Sequence, residues 1–102
     1  MEKNAVKELY EYAINVVCEY SELEEHDIMT SNKEECVNAR YALIGALSEY
    51  LTDEEIAKYS SLTRACANKI RNGMRERLNR YSFRCMFQSI KGKVKDKVDN
   101  PF

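Results

Sequence analysis

The sequence predicts an all-α fold, a compact bundle of about five helices, and three observations predict it. Apolar residues recur at spacings of three and four over most of the chain, the period of a helix buried along one stripe. Three glycines and one proline in 102 residues are too few turn formers for a many-stranded sandwich or barrel. A hydrophobic content of 44% is too high for a disordered chain. The length suits one domain, expected over residues 1–90, with a basic mobile tail over 91–102. No stretch approaches the ~18 consecutive apolar residues of a membrane span. Met1-Glu2-Lys3-Asn4 opens onto a charged amphipathic segment rather than a signal-peptide core, so a soluble cytoplasmic protein is expected.

Val6, Leu9, Tyr10, Ala13, Val16, Val17 and Tyr20 mark the first helix, from about residue 5 to residue 20. Residues 21–30 read as an acidic connector from which Leu23, Ile28 and Met29 reach the core, with His26 in solvent. Ser31 and Glu34 have the spacing of a capping box, which starts a second, central helix running to about Tyr50. Gly45 in its middle suggests close approach of a neighbouring backbone. Thr52 and Glu55 repeat the capping pattern and open a short third helix, residues 53–59. Thr63 then caps a fourth helix with Ala67, Ile70 and Met74 inward, and Asn72-Gly73 reads either as its end, the favoured alternative, or as a tolerated interruption in one long helix. The same phase carries through Leu78, Tyr81, Cys85 and Met86 to Ile90 as a fifth helix, which leaves Phe83 and Phe87 off the stripe. Those two rings would be covered by the first helix or by a second copy in a homodimer.

Charge divides along the chain. Residues 1–57 hold 14 acidic and 4 basic side chains, whereas residues 58–102 hold 12 basic and 3 acidic ones. A helical half with that excess must display most of its cations, and such a surface attracts polyanions unless the acidic half neutralises it internally. The four cysteines, at 18, 36, 66 and 85, have no metal-ligand spacing and only one histidine to join them, so neither a metal nor a cofactor is expected. No nucleophile and base pair, phosphate loop or small-molecule motif is present, which argues against an enzyme.

Residues 51–71 meet the demands of a helix-turn-helix: Ile56 as core residue of a short helix, Ala57 as its small contact, Ser61 in the turn, Leu62 beneath it, and Ala67 with Ile70 holding down the second helix. This segment resembles the helix-turn-helix of bacterial and phage DNA-binding proteins. With Asn38-Ala-Arg-Tyr-Ala-Leu-Ile-Gly-Ala-Leu47 before it, it resembles the Trp-repressor-like C-terminal domain of the replication initiator DnaA. The likeness covers residues 35–74 and lacks the Asp-His pair of the DnaA recognition start; here Ser60-Ser-Leu-Thr-Arg64 stands instead. Helical spacing then turns Arg64, Asn68, Lys69 and Asn72 outward with Arg71 at the flank. Arg64 and Asn68 are the expected base readers, Thr63 a phosphate ligand, and Lys58, Lys69, Arg71 and Arg75 phosphate clamps on double-stranded DNA. Arg77, Arg80 and Arg84 extend that footprint or pair with acidic groups of the first helix or a second subunit. The remaining readings are a non-enzymatic interaction module whose basic half binds an acidic protein, and RNA binding through the lysine-rich tail.

Overall fold

Two threonines set the start of the helices at the centre of the chain. Thr52 accepts from the Glu55 N–H at 3.1 Å while the Glu55 carboxylate accepts from the Thr52 N–H at 2.9 Å, a complete capping box. The Thr63 hydroxyl accepts from the Cys66 N–H at 3.0 Å. The computed structural model describes residues 2–100. Its elements are α1 (Lys3–Ser21), α2 (Glu25–Thr30), α3 (Glu34–Leu47), α4 (Asp53–Tyr59), α5 (Arg64–Arg77) and α6 (Tyr81–Asp99), with no strand among the described residues.

The central helix is α3, which packs against α1, α2, α5 and α6. Every residue from Ala42 to Leu47 is buried, so this helix has no solvent face over its second half. Its contact surface is small: Ala39, Ala42, Gly45 and Ala46 let neighbouring helices come close. A Cβ on Gly45 would lie 2.5 Å from Met74 Cε, 2.9 Å from Met74 Sδ and 3.0 Å from Phe87 Cε1. Gly45 therefore admits two side chains, one from α5 and one from α6, rather than a backbone. Leu43, Ile44 and Leu47 of α3 are fully buried together with Val17, Ile28, Ile56, Ala67, Phe83, Ile90 and Val94, so every helix sends a completely covered side chain into one core.

Several sequence expectations change. The connector over 21–30 contains α2, because Ile28 and Met29 are buried and the Arg40 guanidinium caps its end, donating to Ile28 O at 2.7 Å and Ser31 O at 2.6 Å. The Ser31–Glu34 capping box does not form: Lys33 occupies the cap position without a side-chain bond, and Glu34 turns to Arg77 and Arg80. Two guanidiniums outcompete one backbone N–H for that carboxylate. Asn72-Gly73 does not break α5, which runs on to Arg77; Gly73 has no positive φ and instead lets the Tyr41 ring lie against the helix, 3.3 Å from where a Cβ would stand. The break comes at 78–80, where the N–H groups of Asn79 and Arg80 bond the carbonyls of Glu76 and Arg77, three residues back, tightening the chain out of the helix.

That later break resets the helical phase of everything after it. The buried stripe of α6 is Phe83, Phe87, Ile90 and Val94, while Tyr81 is 73% exposed and Cys85 faces solvent. The two phenylalanine rings stack with centroids 6.1 Å apart and lie under α1 and α3. Of the two covers expected for them, the first helix is the one present. Residues 91–99, expected as a mobile tail, continue α6 to Asp99, with Val94 fully buried and Val98 packed at the core edge. The last two residues, 101 and 102, lie outside the described residues.

Three substitutions check this packing. Val94→Ala removes a fully covered side chain and is expected to destabilise by about 1–3 kcal/mol in a urea melt, where a residue in a mobile tail would cost nothing. Gly92→Ala meets no atom within 4 Å and should stabilise by about 0.5–1 kcal/mol through helix propensity. Gly45→Ala forces Met74 and Phe87 aside, so that gain is expected to vanish and turn into a loss of up to about 2 kcal/mol.

Candidate nucleic-acid interface

The short helix α4, a four-residue turn and the longer helix α5 follow one another and pack together. Ile56 of α4 and Ala67 with Ile70 of α5 are buried at this junction, as the spacing requires. The turn is shaped by its own side chains: Ser60 Oγ accepts from the Leu62 N–H at 3.2 Å, and Leu62 is half-buried beneath it. Thr63 then starts α5 with its N-terminal turn in solvent.

The eight expected contact residues divide into two groups. Lys58, Arg64, Lys69 and Arg75 are exposed, and among the described residues none of them forms an ion pair or a hydrogen bond; Lys58 Nζ sits 5.4 Å over the Tyr59 ring. Thr63 is exposed too, with its oxygen engaged at Cys66 and its hydroxyl proton free to donate. The other three are tied into the protein. Arg71 Nη2 lies 3.1 Å from Asp53 Oδ2, the Asn68 amide donates to the same oxygen at 3.1 Å, and Asn72 donates to the Asn68 carbonyl oxygen at 3.1 Å. Asn68 is half-buried and committed at both ends, not a free outward amide.

Arg64, Asn68, Arg71 and Arg75 are spaced four, three and four apart, so they form one ridge along the side of α5. Asp53 stands against the middle of that ridge. Its carboxylate is 12% exposed, and Oδ1 is buried with no hydrogen-bond partner. Residue 53 reads from sequence only as an acidic group near a helix start. Its neighbourhood with 68 and 71 depends on how α4 docks, which no local spacing encodes.

The other basic ridge serves the fold. Arg77 stacks on the Tyr41 ring at 4.0 Å, donates to Asn38 Oδ1 at 2.5 Å and lies 3.9 Å from Glu34. Arg80 pairs directly with Glu34. Arg84 donates to the Leu78 carbonyl at 3.3 Å and covers the Tyr81 ring. Further along, Lys91 pairs with Glu49 at 2.9 Å, and Lys97 lies over the Tyr12 ring. The acidic partners of this ridge come from α3 and the residues after it, not from α1.

Behind the turn, α1, α2 and α4 enclose a cleft of about 550 Å³ lined by Tyr10, His26, Tyr59, Ser60 and Ser61 among others. Burial, and then the nearby Glu25 carboxylate, push the Tyr10 phenol well above its ordinary value. The same two causes raise the Cys18 thiol, which keeps it protonated at neutral pH. Cys36 is buried, Cys66 half-buried and Cys85 exposed, all as free thiols. Among the described residues no three His, Cys, Asp or Glu side chains converge as metal ligands would. Compared with protein-family models, with curated proteins and with solved structures, the chain has no match.

A raised phenol is neutral in the folded state at pH values where the unfolded chain ionises. Its contribution to stability is therefore complete below about pH 10 and is lost as the pH rises through the folded value. Thermal melts between about pH 8 and 11 are expected to show that loss in the wild type and a shallower one in Tyr10→Phe. Equal slopes would place the alkaline transition elsewhere.

Proposed function

We propose that this protein binds double-stranded DNA through α4 and α5, either sequence-specifically or generally, as a small transcriptional regulator or replication accessory factor. The observation that carries the reading is the set of four exposed, unpaired cations, Lys58, Arg64, Lys69 and Arg75, around a solvent-facing helix start. Surface lysines and arginines that the fold does not use are the groups that neutralise phosphates and release counterions. Arg64 and Arg75 are eleven positions apart on one ridge, about 16 Å along the helix axis, against a major groove about 12 Å wide. The ridge is thus long enough for the first turn of α5 to meet base edges while its later part meets backbone. Arg64 is the guanine reader in this reading, and Thr63 donates to a phosphate oxygen.

The resemblance to the DnaA and Trp-repressor arrangement supports the same orientation, with α3 leading into the α4–α5 pair. A regulator or replication factor of a bacterium or phage works in the cytoplasm, and among the described residues no helix is long and apolar enough to cross a membrane.

Fluorescence anisotropy on a mixed-sequence duplex tests the reading. Three phosphate contacts, from Lys58, Lys69 and Arg75, imply a log–log salt slope of about −2.7 and a loss of roughly 40-fold in affinity between about 50 and 200 mM salt. Arg64→Ala should lower affinity with the slope nearly unmoved, and with an unchanged melt because Arg64 is exposed and forms no ion pair or hydrogen bond among the described residues. Absence of binding at low salt by a folded protein would sink the reading and turn the search to an acidic protein partner.

A further inference from the structure

We propose that Asp53 is a specificity-determining residue, an internal carboxylate that occupies the centre of the α5 ridge and must be displaced before Arg71 and Asn68 reach nucleic acid. This rests on the DNA reading above and names how that surface is held in check. Asp53 Oδ2 accepts from Asn68 and pairs with Arg71 Nη2, at 3.1 Å each, and these are the two middle members of a four-residue ridge whose ends, Arg64 and Arg75, are free. The protein therefore supplies its own anion where a phosphate would otherwise sit.

Exchange is uphill for a weak competitor. Asp53 is 12% exposed and its Oδ1 already lacks a partner, so removing Arg71 leaves a mostly buried carboxylate without its compensating cation. A single anion touching the ridge does not repay that loss. A duplex that engages Arg64, Arg75 and the helix start together gains enough contacts to draw Arg71 away as well. The arrangement lowers affinity for loosely registered DNA more than for a well-fitted site, which is discrimination by an added repulsive element.

Asp53→Asn removes the charge at constant size and tests this directly, with Glu54→Gln as the control. Glu54 lies on the same turn of α4, is exposed and forms no ion pair or hydrogen bond, so it reports the effect of one lost negative charge alone. On a mixed-sequence duplex, Asp53→Asn is expected to bind about 10-fold more tightly and to steepen the salt slope by about 0.9, one extra phosphate contact. Glu54→Gln should change affinity by less than about 2-fold, with the slope unmoved. Arg71→Gln should cost little in the wild type, where Asp53 already holds the guanidinium, and should cancel the gain in the Asp53→Asn background. A circular-dichroism melt of each variant confirms that the folded state is the one titrated.

Equal gains in Asp53→Asn and Glu54→Gln, or a gain that survives Arg71→Gln, would overturn the proposal while leaving DNA binding intact. Binding by Asp53→Asn at a salt concentration where the wild type has already let go of the duplex would support it in its strongest form. If neither protein binds and Arg64→Ala is silent, the DNA reading fails and this one with it.

Discussion

The close approach of three helices at Gly45 is the constraint from which the rest of the molecule follows. Met74 and Phe87 both fill the space that a side chain at position 45 would take. One contact therefore fixes α5 and α6 against α3 at once. The small residues Ala39, Ala42 and Ala46 continue this surface along α3. Larger side chains there would separate the helices, and interiors packed at crystal density do not absorb such a change without loss. With α5 held at Met74 and again at Ala67 and Ile70, the side of the helix carrying Arg64, Arg71 and Arg75 has a set direction. The candidate interface is in this sense a consequence of core packing.

Charge acts on top of that frame in two ways. Glu34, Glu49 and Asp53, all from the acidic half, take Arg77, Arg80, Lys91 and Arg71 from the basic half. The segregation along the sequence is thus partly a folding device that matches the start of α3 to the end of α5. Most of these pairs are well exposed and worth only about 0–1 kcal/mol each. They select an arrangement more than they stabilise it. The Asp53 pair differs, because its carboxylate is largely removed from water and shared between two donors. Among the described residues the pairing leaves three cations of α5 unpaired, at positions 64, 69 and 75, and another at position 58, at the end of α4, besides Lys3, Lys33, Lys93 and Lys95 elsewhere.

Much of the fold was legible because its signals are local. The Thr52–Glu55 box and the Thr63 cap are set by residues three apart, and the apolar spacing of α1 depends only on its own periodicity. The failures share a cause. Ser31 and Glu34 have the right spacing, but Glu34 is claimed by arginines more than forty positions away. Gly73 looks like a helix stop, yet it is there for the Tyr41 ring. A single helical phase carried past 78–80, where the helix breaks, puts Tyr81 and Cys85 inside and leaves Phe83 and Phe87 out. The lysine-rich end of α6 looked too polar to pack because its core contacts, Val94 and Val98, are only two among many charges. Within the candidate site the exposed cations were readable from helical spacing, whereas the commitment of Asn68 and Arg71 to Asp53 was not, since it arises only where α4 meets α5.

These constraints give the ends and the middle of the α5 ridge different mobility. Asn72 and Asn68 are held in one hydrogen-bonded chain on Asp53 and Arg71 is ion-paired to it, so their side chains are ordered before any ligand arrives. Arg64 and Arg75 have no such restraint and keep their rotamer freedom. Immobilising a long side chain on binding costs about 0.5–1.5 kcal/mol. The free ends bear that cost, but their charges are unopposed and act at long range, which suits first encounter with a polyanion. The ordered centre has little entropy left to lose, yet it is neutralised by its own carboxylate. It contributes only when a partner offers more than the carboxylate does. A surface built this way separates attraction from recognition: the unpaired ends bring the helix to a charged backbone, and the occupied middle decides whether it settles there.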